Sequence, residues 1–157
     1  MGKITRKEIE SDSLYNSVLV SKFINQVMKD GKKTIARKAV YGAFEIMKSK
    51  KKDPLETFEL AIENVAPSME VRSKRVGGAT YQVPVPVSKE RKVSLAIRWI
   101  LNAVKAKKRN TLAEKIAEEL LNAANSTGSA IKKTEDVHRM AESNKAFAHF
   151  AQPRRTS

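Results

Sequence analysis

Cysteine is absent from this 157-residue chain, so disulfides, thiolate nucleophiles and cysteine-ligated zinc drop out. Histidine is almost absent. His138 and His149 stand eleven residues apart, which is neither the i, i+4 spacing of a helical metal pair nor that of a zinc finger. No metal and no other cofactor is therefore expected. Glycine is scarce, and neither cluster of it forms a nucleotide loop. Before Gly31-Lys32, Gln26 stands where a phosphate loop needs its first glycine, and Gly77-Gly78 lacks the third glycine of a dinucleotide fingerprint. No G-x-S-x-G elbow supports a serine triad, and the acidic residues are scattered over helix surfaces and caps. Neither an enzyme nor a small-molecule substrate is expected. No run of about 18 apolar residues exists to span a membrane. The opening MGKITRKEIESD carries no apolar stretch of the kind a secretory signal needs.

What the chain has is positive charge and a core. Lys and Arg number 31 against 17 Asp and Glu, a formal charge of +14, while 41% of residues are hydrophobic. That apolar content argues for a packed domain instead of a disordered basic tail. The charge excess opposes compaction unless a polyanion offsets it, and nucleic acid is the first candidate. An anionic membrane surface is disfavoured, because the helical segments carry core stripes and no concentrated basic face.

In chain order, residues 1–16 read as a polar arm and residues 17–150 as one helical domain, with 151–157 a flexible tail. From about Ser17, Leu19, Phe23 and Val27 share a helix face, and Gly31 is placed just past that helix's end. A second helix starts near Thr34, with Ile35, Ala39, Ala43, Phe44 and Met47 at helical spacing. After the solvated run Lys48 to Lys52, Asp53-Pro54-Leu55-Glu56 is a helix start: a capping acid, a preorganised proline and a glutamate three residues on. Leu95, Ala96, Trp99, Ile100 and Ala103 mark a fourth helix with Trp99 in its core stripe, and Thr111 with Glu114 forms a capping box for a fifth. The last helix is expected after Thr134, where Glu135 and Asp136 suit its dipole. Its inner face is Val137, Met140, Ala141, Asn144 and Phe147 or Ala148.

Residues 71–92, VRSKRVGGATYQVPVPVSKERK, break this helical pattern. Gly77-Gly78 supplies the positive φ values of a tight hairpin turn, and Tyr81, Val83, Val85 and Val87 alternate at period two. Pro84 and Pro86 lack an N–H and exclude a central strand. The fold class is thus mainly α: six helices with a protruding two-stranded β-hairpin arm between the third and fourth. A lone hairpin is marginal in water and leans on a partner. Arg72, Lys74, Arg75, Lys89, Arg91 and Lys92 are opposed within this stretch only by Glu90, which points to phosphate contact and salt-sensitive affinity. Tyr81 either stacks on a base or packs across the ribbon.

The stretches ENVAPSMEVRSKRVGGATYQVPVPV, SLAIRW and AIKKTEDVHRMAESNKAFAHF, with DGKK at Asp30 to Lys33, resemble the bacterial small-subunit ribosomal protein seven family over about Ser13 to Phe150. The resemblance implies a structural constituent of the small ribosomal subunit. Such a protein is a primary binder of the 3′ major domain of 16S rRNA, nucleates head assembly and approaches exit-site tRNA. Implied rRNA contacts are Lys32, Lys33, Arg72, Lys74, Arg75, Arg91, Lys92, Arg98, Lys132 and Lys133. Gly77, Gly78, Tyr81, His138, Arg139 and Lys145 would lie near tRNA. Ribosomal proteins nine and eleven of the same subunit are the implied neighbours, on a cytoplasmic ribosome or, in the alternative, an organellar one. Two features depart from the family: residues 1–12 carry no net charge where an Arg-rich arm is usual, and the chain runs on past Phe150 as AQPRRTS.

The competing reading is an architectural DNA-binding protein with a basic β-arm. Such proteins wedge an apolar side chain between base steps near the arm's tip. Here the tip is Gly-Gly, and the prolines lie toward the base.

Overall fold

The computed structural model describes residues 2 and 4–151. Its α-helices are α1 (Val18–Val27), α2 (Lys33–Ser49), α3 (Pro54–Val65), α4 (Lys89–Ala106), α5 (Leu112–Ala124) and α6 (Ser129–Ser143). Strands β1 (Met69–Val76) and β2 (Ala79–Pro86) lie between α3 and α4, and a 3-10 helix, Lys145–Ala151, follows α6. The expected class, helices plus one hairpin arm, is what forms, with the 3-10 helix as an addition. Of the expected tail, Ala151 ends that 3-10 helix; Arg154 and Arg155 lie outside the described residues.

Local signals open several of these helices. Asp53 Oδ1 accepts the Glu56 N–H at 3.1 Å with Pro54 in the first turn, and Ser17 and Ser88 cap α1 and α4 in the same way. Thr111 and Glu114 close a reciprocal capping box at the start of α5. The core runs through all six helices. At its centre Phe58 packs edge-on against Phe23 at 5.2 Å and tilted against Phe44 at 5.6 Å, and none of the three rings is exposed. Burying each ring is worth about 1.5–3 kcal/mol. Trp99 lies in this core, as its place in the apolar stripe requires.

Several expectations need correction. Ile35 is exposed because it lies in the first turn of α2, two turns before Gly42, which on the same stripe meets Ala113 of α5; the inner face of α2 is Ala36, Val40, Ala43, Phe44 and Met47. Gly31 does have positive φ, but α1 has already ended at Val27, and Gly31 belongs to the turn into α2. The last helix starts at Ser129, not after Thr134. Thr134 is inside it and buried, its hydroxyl donating to Val65 O at 2.6 Å. Met140 faces outward instead of inward, and Ala130 and Ile131 supply the buried contacts.

The N-terminal arm is anchored at its far end. Asp12, buried, accepts the N–H groups of Leu14 and Tyr15 at 3.1 and 2.9 Å and the Tyr41 hydroxyl at 2.6 Å. Tyr15 meanwhile sits edge-on to Phe44 at 4.9 Å. Burial alone would raise the Asp12 pKa, but the Tyr41 and backbone donors outweigh it and hold the carboxyl below its ordinary 3.8.

Candidate nucleic-acid interface

The arm is a regular antiparallel ribbon, Met69 opposite Pro86 through Val76 opposite Ala79. Gly77 and Gly78 form its two-residue turn with φ of 56° and 85°, the left-handed pair that matches strand twist. Its strands end at Pro86. Lys89, Arg91 and Lys92, read as arm residues from the sequence, form the first turn of α4 instead. Pleating divides the remaining cations: Glu70, Arg72 and Lys74 fall on one face with Tyr81, Val83 and Val85 opposite them, and Arg75 falls on the other.

This division decides which charges face outward unopposed. Glu70, one residue before the basic stretch, is buried and takes both neighbouring guanidinium groups. Its Oε1 accepts Arg72 Nε at 2.9 Å and Arg91 Nε at 2.8 Å, and Arg91 Nε also reaches Oε2 at 3.0 Å. Lys74 Nζ donates to the carbonyl of Phe150. Arg75, exposed, has no ion pair or side-chain hydrogen bond among the described residues.

The hairpin also leans on its own chain. Tyr81 packs within the ribbon's surroundings, its ring 5.2 Å from Phe147 and 4.9 Å from Phe150 of the 3-10 helix. At the root, His138 Nε2 accepts the Ser68 N–H at 3.0 Å, bordering a cavity of about 290 Å³ with Met69 and Pro84. His138 is therefore a docking residue of α6. Arg139 and Lys145 each pair one turn back, with Asp136 and Glu142, both at 2.9 Å. Such exposed pairs are weak and open readily to a competing phosphate. Lys32, Lys33, Arg98, Lys132 and Lys133 are exposed, and Lys92 is half-buried. Lys32 and Lys33 lie at the start of α2, Lys92 and Arg98 on α4, and Lys132 and Lys133 on the first turns of α6.

Sequence reading missed two features. The first is Glu70, which the period-two alternation reaches when it is carried one step back from Arg72. The second is a groove of about 550 Å³ where Arg6, Lys7 and Lys22 gather beside Glu8 and Glu90, joining the N-terminal arm to α1 and α4. A zero net charge over residues 1–12 conceals this local grouping. Among the described residues no set of three His, Asp or Glu side chains is placed to hold a metal ion, and no helix is long and apolar enough to cross a membrane.

Burial would raise the Glu70 pKa, but the bonds and charges of Arg91 and Arg72 outweigh it and hold the carboxyl below its ordinary 4.5. Glu70 and Asp12 thus both have folded-state values below their unfolded ones. Their contributions are complete above the unfolded values and fade as pH falls through the folded ones. The melting temperature is expected to fall as pH is taken from about 5 to about 3, and Asp12→Asn is expected to flatten part of that slope. Thermal melts across the range, with the same slope in wild type and variant, would contradict the assignment for Asp12.

Fold and surface together define a small helical body that sets cations along a β-ribbon and on α2, α4 and α6. Comparison with known proteins identifies the class. The model of the family described as ribosomal protein S7p/S5e matches residues 1–145. The small ribosomal subunit protein uS7 of Thermotoga neapolitana is 62% identical over 146 residues, covering 92% of this chain and 94% of the relative. The uS7 proteins of Thermosipho melanesiensis and Dictyoglomus thermophilum are 63% and 57% identical, over 92% and 95% of this chain and 94% and 96% of their own lengths. The chain belongs to the ribosomal protein S7p/S5e family. That family is structural and non-enzymatic.

Proposed function

We propose that this protein is a structural constituent of the bacterial small ribosomal subunit, in the cytoplasm, and that it binds the 3′ major domain of 16S rRNA and nucleates head assembly. The observation that carries the reading is the distribution of cations without acidic partners. Arg75 on the hairpin, Lys32 and Lys33 at the start of α2, Arg98 on α4, and Lys132 and Lys133 on α6 are exposed and have no ion pair among the described residues. Phosphates are the natural counter-charge for such a set. Arg72, Lys74, Arg91 and Lys92 join them at the hairpin's root and flank. Family membership supports rRNA as the polyanion.

The finer assignments belong to the same proposal. Residues 1–16 act as an arm that the Asp12 anchor ties to the 17–150 domain. Gly77 and Gly78, together with Arg139 and Lys145, approach exit-site tRNA, with Tyr81 and His138 holding the surfaces that carry them. Ribosomal proteins nine and eleven are the protein neighbours. The architectural DNA-binding alternative loses support, because Pro84 is buried and Pro86, though exposed, pairs with Met69 at the foot of the ribbon, away from the tip where a wedge would act.

Titration against a transcribed 3′ major-domain RNA and a random DNA duplex, each at several salt concentrations, tests this reading. Affinity for both should fall with salt, at a slope of about −0.7 to −0.9 per phosphate neutralised. The RNA should bind more tightly throughout. Equal affinity for the two would overturn the proposal.

A further inference from the structure

Glu70 poses an electrostatic puzzle. It is an acid in the root of a cationic ribbon, and removing a negative charge from such a surface should strengthen attraction for any polyanion. Its carboxylate is nevertheless buried and shared between two elements: Arg72 lies two residues along β1, and Arg91 lies in the first turn of α4. Between β2 and α4 the chain passes only through Val87 and Ser88. Two other bonds hold this junction, Val87 N–H to Ser68 O at 3.1 Å and Ser68 N–H to His138 at 3.0 Å. Both close on one residue, Ser68, while farther along the ribbon Tyr81 and Lys74 rest on the 3-10 helix that follows α6. None of these contacts reaches α4; among the described residues the Glu70–Arg91 bond is the one that bridges strand to that helix and fixes the angle between them. It also orients the donors. Arg91 meets Glu70 through Nε, and neither of its terminal nitrogens has a partner among the described residues. An arginine held by its Nε edge presents those two nitrogens outward as a phosphate fork.

We infer that Glu70 is a positioning residue for RNA binding: it sets the direction in which the hairpin leaves the helical body and aims the Arg91 guanidinium. The inference rests on the rRNA-binding reading. It opposes simple electrostatics, which makes it testable by the sign of an effect. Glu70→Gln keeps the side chain's shape but gives up the charged double acceptor. Its affinity for the 3′ major-domain RNA should drop about tenfold, because order that the free protein no longer supplies must be imposed on binding. Its affinity for heparin, a polyanion without a defined shape, should stay level or rise. Hydrogen exchange at the β1 and β2 amides of the free protein should quicken while that of α3 and α5 does not. Arg91→Gln, which opens the same contact from the helix side, should quicken exchange at the same strand amides, and serves if Glu70→Gln fails to fold.

Unchanged or tighter RNA binding by Glu70→Gln, with strand exchange as in wild type, would overturn the positioning role. If wild-type protein shows no preference for the RNA, the ribosomal reading itself fails. Strand exchange in the two variants then decides whether Glu70 fixes the hairpin.

Discussion

Glu119→Ala is expected to destabilise the protein by about 3 kcal/mol, whereas Glu118→Ala next to it should cost less than about 1 kcal/mol. The two glutamates share a cation, Lys107, at 2.8 Å from Glu118 and 3.4 Å from Glu119. Their surroundings differ. The Glu118 side chain is half exposed and its pair is screened by water, while Glu119 is 1% exposed. Glu119 Oε1 also accepts the Ala130 N–H at 3.2 Å, which makes it the N-terminal cap of α6 supplied from α5. The residue at the cap position itself is Gly128, with no side chain to offer and φ of 94°. Any Cβ there would come within 3.1 Å of Glu119 Oε1 and of Asn122 Cβ. Alanine at 119 therefore leaves a buried amide unsatisfied and a cavity beside it. Because α6 carries Lys132, Lys133 and the His138 contact to the hairpin root, the loss should spread to the interface. Urea melts of the two variants check this. Equal costs for both would show that Glu119 does not cap α6.

What was legible in the sequence was what is local. Asp53, Pro54 and Glu56 lie within one turn, as do Thr111 and Glu114, and Gly77-Gly78 encodes its own turn geometry. Each such signal needs only near neighbours, and each forms as read. The start of α6 failed because its cap lies eleven residues upstream on another helix. A local reading gave the role to Glu135 and Asp136, which suit a dipole but sit inside the helix. Ile35 and Met140 failed for a related reason: both fit the helical period, and which of two adjacent stripes is buried, and over what length, depends on the neighbouring helix. At the interface, composition gave the sign of the ligand and resemblance gave its kind. Neither could sort free cations from occupied ones. Arg72, Lys74 and Arg75 read as one cluster, yet Glu70 and the Phe150 carbonyl engage the first two and leave Arg75. The alternation of a strand was enough to separate Arg75 from the others. The partner of Lys74, 76 residues away, was not foreseeable from spacing.

The hairpin turn is where a small change should have the largest effect on binding with the least on the core. Gly77→Val combined with Gly78→Val places β-branched residues at φ of 56° and 85°. A Cβ at either position meets nothing within 4 Å, so the penalty is backbone strain alone, about 1–2 kcal/mol per residue. A two-stranded ribbon is marginal to begin with, and a total of about 2–4 kcal/mol exceeds what its own ladder supplies. The strands should open at the tip while Val83 and Val87 remain buried at the root. The melting temperature, set by the helical core, should hardly move. Affinity for the 3′ major-domain RNA should fall about 30-fold or more, the equivalent of about 2 kcal/mol of lost preorganisation. Gly77→Asn is the control, since asparagine tolerates the left-handed region and should leave affinity within about threefold of wild type. A double-valine variant that binds RNA like the wild type would remove the hairpin tip from the binding surface and leave α2, α4 and α6 to carry it.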